Sequence, residues 1–288
     1  MGENRNGNGK KRRPARSSGR LFFCLLLAVC SCLLCACASV PYTDRSRLML
    51  TDLEYENRLG AESWTEVCSE EKESADAELT AQVVRVGKNI AAVSGQDSFQ
   101  WEFKLFDSSV ANAFCLPGGK VAVYSAIAEY MDNEAELAVV IGHEIAHAVA
   151  RHGGERISQS ILQEMGKNLL FMASGDSDES SLAAVAYGIV TEYGVLLPYS
   201  REHEYEADRI GMILMAKAGY DPSSAIVFWE KFGGSGGGLE FLSTHPLSEN
   251  RIEQMRGILP EAMEFYQSAS VKRGTGASVS RRGGQQKK

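Results

Sequence analysis

Apolar residues recur at three- and four-residue steps through Leu79, Val83, Val86, Ile90 and Val93. That period predicts an amphipathic helix inside a helical region over 51–94. Gly95-Gln96-Asp97 breaks it. The run 99–106 (Phe-Gln-Trp-Glu-Phe-Lys-Leu-Phe) then alternates with period two, the mark of a half-buried strand. Ala111 to Leu116 and Lys120 to Tyr124 read as two more short strands around the turn residues Pro117-Gly118-Gly119. From Ser125 onward the pattern is helical. One helix starts at Ser125. The next, apolar and rich in alanine, runs from about Asn133 to Arg151, capped by Asp132 or Asn133 and ended by Gly153-Gly154. Further helices are expected over 155–173, 181–197, 198–218, 222–232 and 248–259, with loops at 174–180 and 233–238. Helices around a small sheet make an α+β domain.

The first residues carry a different pattern. Arg5, Lys10, Lys11, Arg12, Arg13, Arg16 and Arg20 precede an almost uncharged apolar run, Leu21 to Leu34, and small residues follow. This order predicts a signal peptide over 1–36. Leu34-Cys35-Ala36-Cys37-Ala38 resembles a bacterial lipobox, with Cys35 as a departure and Cys32 as an alternative lipid site. The resemblance implies lipidation of Cys37 and an outer-membrane lipoprotein facing the periplasm, because Ala38 rather than Asp follows the lipid site. A non-lipidated signal peptide or an uncleaved anchor are the other readings. A linker over 37–50, a catalytic domain over 51–260 and a basic, disordered tail over 261–288 complete the expected organisation.

Charge narrows the partners. The whole chain has a formal net charge of −7, and removal of the basic leader leaves a still more acidic protein. Such a surface does not attract nucleic acid. Of seven cysteines, only Cys68 and Cys115 lie beyond the leader and the lipid site. An even pair in an oxidising compartment is a disulfide candidate.

The chemistry centres on His143-Glu144-Ile145-Ala146-His147. Residues four apart share a helix face, so both histidines can meet one ion. Glu144 sits one step round, where it reaches a water at that ion. This is the two-histidine zinc pattern of a metalloprotease, with the glutamate as general base. A catalytic zinc takes a third protein ligand. His152, five residues past His147, turns off the ligand face. Ser200-Arg201-Glu202-His203-Glu204-Tyr205-Glu206-Ala207-Asp208 is dense in candidates, with Glu204 and Asp208 on one face and His203, Glu202 and Glu206 as competitors.

HEIAH followed by SREHEYEAD resembles the HtpX and CAAX-prenyl-endopeptidase type of gluzincin metallopeptidase, and more closely that family's soluble bacterial lipoprotein members. The likeness extends to Asn112-Ala113-Phe114 with Pro117-Gly118-Gly119, and to Thr244-His245-Pro246 with Arg251; it covers about 75–257. Cys115 departs from the pattern. The resemblance implies a mostly helical, zincin-like domain with one Zn2+ per chain. It implies Glu204 as third ligand, with Asp208 supporting a ligand histidine. It further implies that His245 and Arg251 face the reacting carbonyl and that Asn112 holds the substrate backbone. A peptide is expected to add as a strand along an edge near Lys120–Tyr124. The expected function is hydrolysis of unfolded or misassembled envelope proteins, with other envelope proteases or assembly machinery as further partners. One rival is a chaperone-like lipoprotein that binds such chains without cleaving them. Another is a membrane protease spanned by Leu182–Leu197.

Overall fold

The structure, a computed structural model, describes residues 37–43, 45–174, 200–234, 239–247, 249–274, 276, 278 and 279. The leader, the loop at 175–180, the Leu182–Leu197 stretch and the loop at 235–238 lie outside these residues. The fold below is that of residues 38–288. Among the described residues, no helix is long and apolar enough to cross a membrane.

Two helices, α1 (Leu53–Glu70) and α2 (Ala77–Ala91), divide the helical region expected over 51–94. Each starts at an aspartate: Tyr55 N donates to Asp52 Oδ1 and Leu79 N to Asp76 Oδ1. These bonds satisfy donors that a helix start leaves open. Strands β1 (Glu102–Phe106), β2 (Ala113–Leu116) and β3 (Lys120–Tyr124) form one sheet in the order β1-β3-β2. β1 runs parallel to β3 and β2 antiparallel to it. The β2–β3 turn holds Gly118 at φ 79° and Gly119 at φ 86°, a region glycine enters without a Cβ penalty. β3 is the middle strand, paired on both sides, so Lys120–Tyr124 offers no free edge; the edge nearest the HEIAH helix is β2.

Alternation along the strands divides the core. Ala113, Cys115, Val121 and Val123 join the large cluster, whereas Phe114, Leu116, Ala122 and Tyr124 join Trp64 of α1 on the other face. That division corrects the disulfide. Cys115 lies in the first cluster, Cys68 packs against the second, and both are free thiols. The period of two along β2 points Cys115 away from α1.

A 3-10 turn (Ser125–Tyr130) leads into α3 (Glu134–Val149). Glu136 N donates to Asn133 Oδ1 at 3.1 Å, and Asp132 N donates to Glu136 Oε2 at 3.0 Å. Every residue of α3 is buried, which explains why its sequence is apolar nearly all round. Arg151 then takes φ 51° and α4 (His152–Ser174) begins at once. Gly153 and Gly154 therefore open α4 rather than ending α3. A Cβ on Gly154 would stand 2.2 Å from Glu56 Oε1, so the glycine makes room for a buried carboxylate.

Helix α5 (Arg201–Lys217) crosses α3 where two glycines touch: a Cβ on Gly142 would lie 3.2 Å from Gly211 O. This close approach sets the acids of α5 beside the histidines of α3. Helices α6 (Ser223–Gly234), α7 (Leu239–Thr244) and α8 (Glu249–Ser268) complete the domain. Two expected boundaries shift. α8 continues past 259 to Ser268, and beyond it Arg273 N donates to Gly219 O at 2.7 Å and Val279 is buried. The segment expected as a linker over 37–50 buries Val40 in the core and ties Leu50 N to Ser158 Oγ at 2.9 Å. In both segments isolated apolar residues find partners that only the folded chain supplies.

Candidate metal centre

One turn of α3 separates His143 from His147, and their Nε2 atoms stand 3.1 Å apart. Glu204 enters from α5, with Oε2 3.5 Å from His143 Nε2 and Oε1 3.4 Å from His147 Nε2. His245, just past α7, brings Nδ1 within 3.2 Å of both His143 Nε2 and Glu204 Oε1. One donor atom from each of these four buried residues lies within 4.8 Å of all the others. Crowding lone pairs together away from water is costly without a cation among them. Imidazoles with one carboxylate suit a divalent metal ion, so the residues present fit the group that the sequence motif implies.

Electrostatics favour the same reading. Burial opposes charge on His143, but hydrogen bonds to Asp208 and Glu204 outweigh it and raise its pKa to about 9. Burial would raise Glu204, yet His245, Arg251 and the two α3 histidines hold its carboxylate well below the usual range. Burial, by contrast, pushes His147 well below its ordinary value, so the positive charge favoured by these acids sits on the His143 side.

Glu144 lies beside this cluster. Its carboxylate accepts a hydrogen bond from the Cys115 backbone on β2. Its Oε1 is buried without a hydrogen-bond partner, and His245 Nε2 is 3.4 Å away. Burial raises its pKa, partly opposed by His245 and His143, which moves a carboxylate toward the basicity useful at neutral pH.

The structure brings His143, Glu144, His147, Glu204, Asp208 and His245 into one place. Asp208 Oδ1 lies 3.1 Å from His143 Nδ1. The competitors of Glu204 are engaged elsewhere: Glu202 is exposed, His203 Nε2 lies 3.2 Å from Glu155, and Glu206 is held by Arg45. One expectation needs correction. Arg251 does not face a substrate; it is buried, donates to both oxygens of Asp208 at 2.7 and 2.8 Å, and lies 2.7 Å from Glu204 Oε2. Its side chain is spent on neutralising two buried acids. Asn112 is also buried, and Ala113 N donates to its Oδ1 at 2.9 Å, so that oxygen caps its own strand. Replacement Arg251→Met should destabilise the metal-free protein by about 3–5 kcal/mol, because two buried carboxylates lose their counter-charge. Urea unfolding followed by circular dichroism measures it.

Sequence reasoning set aside one residue that the structure returns to the site. His152 Nδ1 meets His147 Nδ1 at 2.8 Å, and its Nε2 lies 3.0 Å from Glu206 Oε2. A histidine five positions past the motif would turn away on a straight helix. The break at Arg151 turns it back.

Residues 77–259 match the profile of Peptidase family M48. Mitochondrial metalloendopeptidase OMA1 of Schizosaccharomyces pombe is 38% identical over 230 residues, covering 77% of this chain and 66% of that protein. Metalloendopeptidase OMA1, mitochondrial, of Homo sapiens is 32% identical over 245 residues, 78% of this chain and 46% of that protein. The Beta-barrel assembly-enhancing protease of Escherichia coli is 30% identical over 215 residues, 68% of this chain and 44% of that protein. The chain thus spans less than two thirds of the length of each. These names place the resemblance at the level of the family rather than with its HtpX or CAAX-prenyl-endopeptidase type. They also overturn the expected location. The relatives of higher identity are mitochondrial and the bacterial one is more distant, so an outer-membrane lipoprotein anchored at Cys37 is not supported. Because the match takes in most of the chain, including α3, Glu204 and His245, the chain belongs to Peptidase family M48.

Proposed function

We propose that this chain is a zinc-dependent endopeptidase acting on extended segments of unfolded or misassembled polypeptides. The convergence of His143, His147, Glu204 and His245 beside Glu144, whose Oε1 is buried without a hydrogen-bond partner, carries the reading. Its named relatives are metalloendopeptidases and a β-barrel assembly-enhancing protease, which supports peptide bonds as substrate. In this reading His143, His147 and Glu204 hold the ion. Zinc held there would supply a Lewis acid and would lower the pKa of water to about 7. Glu144 takes the proton of the attacking water and returns it to the leaving amine. His245 uses Nε2, on its Glu144 side, to donate to the carbonyl oxygen as negative charge develops.

The edge of β2 is the place for an extended substrate strand, since main-chain hydrogen bonding favours unfolded segments. Digestion of casein by the purified chain, with and without a chelator, tests the reaction. Loss of one oxyanion donor costs about 10²–10³-fold in rate, so His245→Ala should lower kcat by that factor and leave bound zinc in place. Unaltered kcat in that variant would remove His245 from the mechanism.

A further inference from the structure

Beyond the ligands, a chain of buried polar groups connects His147 to the segment at 38–51. We propose that His152 is a positioning residue that fixes the tautomer and tilt of His147, and that Thr43 and Arg45 hold it in place through Glu206. The inference rests on the metal site proposed above.

Proton counting carries it. His147 Nε2 faces the cluster, 3.1 Å from His143 Nε2. An imidazole that gives its Nε2 lone pair to a metal keeps its proton on Nδ1. That Nδ1 lies 2.8 Å from His152 Nδ1, so His152 Nδ1 must accept. The proton of His152 is then on Nε2, which donates to Glu206 Oε2 at 3.0 Å. Glu206 is held in turn by Arg45, which donates to Oε1 at 2.8 Å and to Oε2 at 2.7 Å, and by Thr43 Oγ1, which donates to Oε1 at 3.1 Å. One arrangement of protons satisfies these contacts from His147 to Glu206.

Burial makes that arrangement rigid. His147, His152 and Glu206 are 1%, 0% and 6% exposed, so water does not compete for these bonds. The remaining donors of Arg45 hold Glu155 at 2.7 and 2.8 Å, and Glu155 in turn meets His203. His203 stacks on His152 with ring centroids 4.3 Å apart. His152 is therefore clamped through both its edge and its face. His143 is supported differently, by Asp208 directly. Groups that orient a ligand histidine typically change metal affinity about 10–100-fold when removed.

The test is zinc affinity of the full chain, read by competition with a chromophoric chelator and independent of turnover. Far-UV circular dichroism confirms folding of each variant. His152→Phe should weaken zinc about 10–100-fold. His152→Asn should recover much of that loss, because its amide both accepts and donates. Arg45→Met, outside the cavity, should show a smaller loss in the same direction. Equal affinity in wild type and folded His152→Phe overturns the proposal, as does a loss that Asn fails to restore. If His152→Phe does not fold, His152→Asn and Arg45→Met decide, and unchanged affinity in Arg45→Met removes the role of Arg45. Wild type that takes up no zinc instead refutes the metal site itself.

Discussion

Glu144→Gln should abolish measurable casein digestion while bound zinc stays at the wild-type level. General base catalysis is worth about 10²–10⁴-fold, and an amide cannot take the proton. The substitution is close to isosteric, which matters at a position only 1% exposed. Glutamine also keeps an oxygen for the Cys115 backbone donor, so the fold has little reason to change. The same variant separates the enzyme from a module that only holds unfolded chains. A binding module keeps its full effect with Gln at this position and with chelator present. Digestion that continues unchanged under both treatments would refute the mechanism.

Glu204→Gln should bring zinc from one ion per chain to a small fraction, with activity falling in proportion. Glu204 is the carboxylate among the four converging donors. Replacing it with a neutral amide removes a charge that the ion needs, and it leaves Arg251 with Asp208 as its remaining carboxylate partner. Glu202→Gln, on the exposed side of the same helix, serves as control and should retain the metal. Metal analysis of the dialysed proteins gives the result. Full zinc occupancy in Glu204→Gln would return the third ligand to its neighbours, of which Glu206 is already tied to Arg45 and His152.

The chain itself determined whatever depends on short-range spacing. His143 and His147 share a face because a helix repeats every 3.6 residues. Asn133 marks a helix start, accepting a backbone hydrogen bond three residues on. The three strands were legible from alternation and from Pro117-Gly118-Gly119. What the spacing could not contain is which elements meet. The order β1-β3-β2 made Lys120–Tyr124 an inner strand, and the faces of the sheet kept Cys68 from Cys115. Contact between Gly142 and Gly211 chose Glu204 as the acid facing the histidines. Arg251 was turned onto Asp208 by burial, since a guanidinium away from water takes the nearest carboxylates. His152 returned to the site through one left-handed residue, Arg151. Local periodicity thus determined two ring nitrogens and a base. Long-range packing decided their third partner and their support, because those depend on the faces that separate helices bury against each other.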